Sequence, residues 1–411
     1  MLDLILLGGS IGAAVAWLLL SAHVLAVQRR RASARATLAN ASEVLRRDSV
    51  RRLPLADRLA AVRPVIGGAS RDLVMRGAAD GDAAVDVADP LAAYIVERWG
   101  IDALERDATA HQTERGKWRR MAALRILNRL GRPGQIELLE GAIGQADGDV
   151  ASVALSLLGD LNDVRAGELL IGALIRRRHL ASRVAIQIDR SPLHLANHLR
   201  PLLRDADPDL RFWAAVLLGR YLDVADLERD LIPMVDDPDP RVRKAAIESL
   251  GRIGDDMSAS AAVRLLSDPV AFVRANAARA IGKLDRPDLA SQVAVLLGDR
   301  DWWVRSAAKQ TLEMMGSDVW PLLVPCLSHA DRFVRNGAAE VFQNLGLLDS
   351  LILMEAASDD PAPHKIDMLR RIAAAGGVRL TDSLVERAGP TVGPRVRGLL
   401  TAIGFQDVGA A

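Results

Sequence analysis

Apolar and small residues return along this chain with a period far longer than a helical turn. Around Arg211, Arg243, Arg274, Arg305 and Arg335, which lie 32, 31, 31 and 30 residues apart, one pattern repeats. Val or Leu precedes each arginine (Leu210, Val242, Val273, Val304, Val334). Alanine follows at the third place (Ala214, Ala246, Ala277, Ala308, Ala338), and a larger apolar residue at the seventh (Leu218, Leu250, Ile281, Leu312, Phe342). These positions share one face of a helix, so each copy predicts a short amphipathic helix. Alanine on that face lets a neighbouring helix come close. Gly219, Gly251 and Gly282 read as helix ends, and Gly316 and Gly346 as the ends of longer helices.

The turn before each helix is acidic. Asp205, Asp237, Asp268 and Asp299 stand six places before the arginine, and Asp207, Asp239, Asp301 and Asp331 four before it. Aspartate caps free N–H groups at a helix start, and the prolines at 208, 238, 240 and 269 suit the same place. A second apolar run lies upstream of each turn, as in 230–235 and 292–297, so each unit is two antiparallel helices. Weaker copies extend both ways, at Arg120 in WRRMAALRILNRLG, at 149–159 and 180–188, around residue 366 and at Arg397. About ten units run from 116 to 404, each too small to bury its apolar face alone, so stability is expected from neighbour interfaces. The fold class expected is all-α, a right-handed α-solenoid. A capping pair of helices at 90–115 precedes it, and a short tail at 405–411 follows.

The motif resembles the HEAT repeat, in particular the short bacterial HEAT-like form also found in phycobilisome lyases. The likeness is strongest over 205–346. It implies a ladder in which the turn aspartates Asp237, Asp268 and Asp299 and the helix arginines Arg211, Arg243, Arg274, Arg305 and Arg335 fix the stacking. His329 replaces the first aspartate of one turn, so the ladder is expected to weaken there. The resemblance implies scaffolding or partner binding far more often than catalysis. It leaves two alternatives, a bilin-lyase-like protein that holds a chromophore and a nucleic-acid-binding HEAT-like protein.

Composition narrows these. Half of the residues are hydrophobic and few are aromatic, which favours thin helices packed through small side chains. The net charge of +1 argues against nucleic acid, because duplex-binding domains carry a basic excess. Cys326 is the only cysteine, which excludes an intrachain disulfide and a cysteine metal cluster. Near-exclusive use of arginine over lysine suggests a GC-rich bacterial source.

Residues 4–27 carry no Asp, Glu, Lys or Arg, and Arg29, Arg30 and Arg31 follow at once. At about 1.5 Å per residue such a span crosses a hydrocarbon layer of about 30 Å. We expect a transmembrane anchor within 1–28, with the N-terminus outside and the solenoid in the cytoplasm of a bacterial inner membrane. A cleaved signal peptide is the competing reading, but the charged leader is missing and the apolar run is long. The basic 29–89 segment follows, ending in a Gly/Ala/Asp-rich linker at 77–90. Its arginines from Arg29 to Arg52 either contact anionic lipid or only fix topology.

No P-loop, dinucleotide fingerprint or nucleophile elbow occurs, and His194 and His198 lack the companions of a metal site. No cofactor is expected, and the chain reads as a non-enzyme. Candidate binding residues lie where copies disagree. Trp213 and Trp302 fall at positions that are small or polar elsewhere, and so act as interface anchors or pack against irregular neighbours. Trp303 aligns with Phe272 and Phe333 and is read as core. Arg176, Arg177 and Arg178 close a helix, where they bind an anionic partner or complement the helix dipole. The partner expected is a protein, itself membrane-associated.

Overall fold

The computed structural model describes residues 35–404, with Gln28, Ala32 and Ser33 before them, apart from 80–84, 111–113, 132, 146, 223–225, 255 and 376–382. The expected 4–27 anchor and the 405–411 tail therefore lie outside the described residues. Among the described residues no helix is long and apolar enough to cross a membrane.

The described chain is helical throughout, without strands, and divides into two compact units, Met1–Leu193 and His194–Ala411. In the first, helices follow one another at Leu55–Ile66, Arg71–Ala78, Val85–Trp99, Ile101–Thr109, Glu114–Arg129, Gln135–Ile143, Gly148–Gly159, Val164–Arg176 and Ala181–Arg190. The basic segment after residue 35 is thus folded. Ala41, Leu45, Val62, Ile66, Val74 and Met75 are fully buried in it. Helix also starts at Val85, ahead of Pro90, inside the stretch read as a linker. Arg120, at the head of its weak copy, is buried and donates from Nε to the Ala108 carbonyl at 2.8 Å. Burial pushes its guanidinium below the ordinary arginine value.

The second unit contains the five strong copies as the helices Pro208–Leu218, Pro240–Ile253, Ala271–Lys283, Trp302–Met314 and Arg332–Asn344. Short helices and 3-10 turns lie between them, such as Leu227–Leu231 with Ile232–Asp236, and Ala290–Val295 with Leu296–Gly298. Every apolar motif position named above is buried in all five helices. Each large aliphatic one contributes about 1.5–3 kcal/mol by leaving water.

Helix ends depart from expectation. Gly251 and Gly282 lie inside their helices, and only Gly219 sits at an end. The left-handed glycines that follow the motif helices are Gly254, Gly316 and Gly346. The helices ending before Gly316 and Gly346 are no longer than their neighbours. Interior glycine serves close approach instead. A Cβ on Gly251 would sit 2.9 Å from Ala280 Cβ, and one on Gly282 would sit 3.2 Å from Thr311 Cγ2. A glycine eight places after one arginine thus meets the residue six places after the next.

Candidate partner-binding edge

The turns of the second unit set the geometry of the candidate surface. Asp237 takes Arg211 Nε and Nη2 at 2.7 and 3.0 Å. Asp268 takes Arg243 at the same two distances, and Asp299 takes Arg274 at 2.8 and 2.8 Å. Each arginine also donates through Nη1 to a carbonyl of its own turn, at 2.8–2.9 Å. One guanidinium therefore ties its own turn to the next, in the bidentate geometry that suits arginine. Asp237, Asp268 and Asp299 each also accept the N–H of the residue two places on, at 2.8 Å. Their partners hold Arg211, Arg243 and Arg274 above the ordinary arginine value.

The ladder stops after these three rungs. At the next turn His329 keeps the local role, accepting the Asp331 N–H on Nδ1 at 3.0 Å. It offers no carboxylate to Arg305. Arg305 still donates to the Asp299 carbonyl at 2.8 Å, and its guanidinium carbon lies 4.1 Å from the Phe333 ring centre. Arg335 donates to its own turn at His329 and Ala330, at 2.6 and 2.8 Å. Neither pairs with a carboxylate among the described residues, so Arg305 and Arg335 are not the full rungs expected.

An aromatic row lies on the same edge. Phe272, Trp303 and Phe333 stand two places before successive arginines and are 41%, 57% and 40% exposed. Trp303 is therefore not core. A position two before the arginine points nearly opposite to the buried face formed by −1, +3 and +7, which helical geometry alone could have shown. Trp302 is 56% exposed and stacks on Trp303, ring centres 4.1 Å apart. Trp213 is half-buried and packs edge-on against Phe212 at 4.9 Å, so it belongs less clearly to a surface. Its helix is separated from Trp302 by two further motif helices, and the two tryptophans do not form one site.

Arg176, Arg177 and Arg178 are all exposed at the end of the Val164–Arg176 helix, where Arg177 takes a left-handed conformation at φ 52°. Ile175 and Leu180 beside them are also exposed.

A groove of about 520 Å³ went unnoticed in the sequence. Trp320, Val324, Phe342, Leu351, Met354 and Met368 line it, with Lys365 and Arg371 at its rim. Both rim cations are paired, Lys365 with Glu355 at 2.7 Å and Arg371 with Asp367 at 2.6 Å. Trp320, Val324 and Phe342 form one side of it, and the rest comes from 347–371, where the repeat pattern is degenerate. Cys326 is half-buried, its thiol pushed up by burial, and its Sγ faces the Leu322 carbonyl at 3.6 Å. Among the described residues no group of three or more His, Cys, Asp or Glu stands where it could hold a metal ion.

Comparison with known proteins finds HEAT repeats in the second unit. Residues 196–275 and 259–343 match the family model of HEAT repeats, the stretch that holds the ladder and the aromatic row. The chain is also similar to several solved structures. One is the karyopherin Kap121p bound to the SUMO protease Ulp1p, with 15% identity, 85% of this chain and 46% of that chain covered, and a TM-score of 0.48. An engineered protein has 17% identity, coverage of 89% and 98%, and a TM-score of 0.36. The complex of CpcE and CpcF of phycocyanin lyase from Nostoc sp. has 21% identity, coverage of 65% and 94%, and a TM-score of 0.28. No curated protein matches the chain.

Proposed function

We propose that this chain is a non-catalytic scaffold that binds a protein partner through the edge formed by Phe272, Trp302, Trp303 and Phe333. The observation that carries this reading is the exposure of aromatic rings in register on consecutive repeats. Folding alone gives no reason to leave such rings in water, and aromatic residues beside arginine are the side chains that dominate protein interfaces. Arg305 and Arg332 lie over the Phe333 ring at 4.1 and 5.0 Å, adding polar reach to the same patch.

The uncharged 4–27 span and the arginines after it support an anchor in a bacterial inner membrane, with the repeats in the cytoplasm. The Arg29–Arg52 region would then face anionic headgroups. In that setting the partner is itself membrane-associated. The near-balanced net charge of +1 speaks against nucleic acid.

Proximity labelling from the intact protein in its own membrane tests the reading. Replacing Trp303 and Phe333 together by alanine should cut labelling of the main partner at least tenfold, with helical content by circular dichroism unchanged. Equal labelling by wild type and the double variant would defeat it.

A further inference from the structure

We propose that this surface takes an acidic segment of its protein partner, whose carboxylate fills the place on Arg305 that the turn aspartate fills on Arg211, Arg243 and Arg274. The inference rests on the partner-binding reading above and names the chemistry of the partner. In three successive repeats the Nε and Nη2 edge of the arginine holds a carboxylate at 2.7–3.0 Å. In the fourth, Arg305 Nη1 makes the same bonds to its own turn, to the Asp299 and Arg300 carbonyls at 2.8 and 3.2 Å. The guanidinium is thus held as its three counterparts are, while no carboxylate among the described residues takes its Nε and Nη2 edge.

His329 explains why the site stays built. Its Nδ1 holds the Asp331 N–H at 3.0 Å, so the turn keeps its shape without an acid. His329 is exposed and Arg305 half-exposed, so the vacant edge is open to solvent. The neighbouring carboxylates are committed elsewhere. Asp299 holds Arg274, and Asp301 and Asp331 accept the Trp303 and Phe333 N–H groups at 2.9 and 2.8 Å. Arg332, over the Phe333 ring at 5.0 Å, and Arg335, on the His329 carbonyl at 2.6 Å, add positive charge beside that edge and pair with no carboxylate among the described residues. The Trp302–Trp303 stack and Phe333 supply apolar contact beside it. A carboxylate flanked by apolar side chains matches both features, and arginine grips it with two parallel bonds.

The test uses the full-length chain in detergent micelles and two synthetic peptides of alternating Leu and Glu or alternating Leu and Gln. Binding is read from the fluorescence of the exposed tryptophans. The Glu peptide should bind at least tenfold more tightly than the Gln peptide. His329→Asp, which supplies the missing acid in cis, should bring the Glu peptide down to the Gln level while thermal unfolding stays at or above the wild-type temperature. Arg305→Gln should weaken the Glu peptide to the same level, which keeps the test decisive should the first variant misfold. Equal binding of the two peptides, no saturable binding of the Glu peptide, or unchanged binding by His329→Asp would each overturn the inference. So would competition by a thymidylate oligonucleotide at equal concentration, which would assign the vacancy to phosphate. Partner labelling that is lost in the Trp303/Phe333 double variant but intact in His329→Asp would remove the carboxylate step alone and leave the aromatic edge standing.

Discussion

Asp299 does the work of two side chains at once. Its Oδ1 accepts the Asp301 N–H at 2.8 Å, and its two oxygens take Arg274 at 2.8 Å each. Both partners of this pair are nearly buried, with side chains 7% and 9% exposed. Burial pushes the Asp299 carboxyl up. The Arg274 guanidinium and the Asp301 N–H outweigh it, so the group lies below the ordinary aspartate value of 3.8. A carboxyl depressed by folding stabilises the fold above its unfolded value and loses that contribution as pH falls through its folded value. Asp299→Asn keeps the turn but leaves Arg274 uncompensated, a loss on the order of 3 kcal/mol at neutral pH. Urea unfolding should show that gap at pH 7 and a smaller gap once the pH falls well below the ordinary aspartate value, because wild type then protonates Asp299 while the variant has no carboxyl at that position. A gap that does not shrink would mean that the rung contributes through shape and not charge.

Between elements, the decisive contacts are made by residues with almost no side chain. Gly219 faces Ser249, Gly251 faces Ala280 and Gly282 faces Thr311, each across a pair of neighbouring motif helices. Where the partner is polar it bonds back to the facing helix, Ser249 Oγ to the Ala215 carbonyl at 2.8 Å and Thr311 Oγ1 to the Ala278 carbonyl at 3.1 Å. Gly251→Ala already forces a 2.9 Å approach, and Gly251→Val should cost about 1–3 kcal/mol by prising the Pro240–Ile253 and Ala271–Lys283 helices apart. Chemical denaturation of the full chain measures this, and a loss below about 0.5 kcal/mol would show that the stack yields freely there. The buried stripe of each helix was legible because its spacing is the helical period itself. The role of the glycines was not, since glycine also marks helix ends and nothing in one helix states the distance to the next. Trp303 misled for a similar reason. Alignment with Phe272 and Phe333 showed that the position is shared, and only the direction of the side chain shows that the shared position faces outward.

For the molecule as a whole, legibility follows how strictly the repeat is kept. In the second unit the copies agree and the period of about thirty residues fixes the hairpins. Arginine density after residue 29 spoke of lipid contact or topology and said little about packing, yet Leu45, Ile66 and Met75 are fully buried in helices there. Their apolar positions are sparse between charged ones, and periodicity is weak in such short helices. The proposed binding edge was half legible. Trp302 stood out as a departure from its copies, and His329 in place of an aspartate marked the weak rung, while the exposed face of Trp303 and Phe333 did not show in the alignment.

The ladder also makes the chain a natural substrate for recombination. Asp268 follows Arg243 by as many residues as Asp299 follows Arg274. Excising residues 244–274 would join Arg243 to Ala275 and put Asp299 where Asp268 had been, with the Ala277–Ile281 face continuing the helix. The shortened protein should unfold cooperatively and keep its mean helicity per residue by circular dichroism, whereas a cut of half that length should abolish the transition. Lineages carrying this fold can thus gain or shed a unit in one genetic step, and change the length of the array without redesigning any joint.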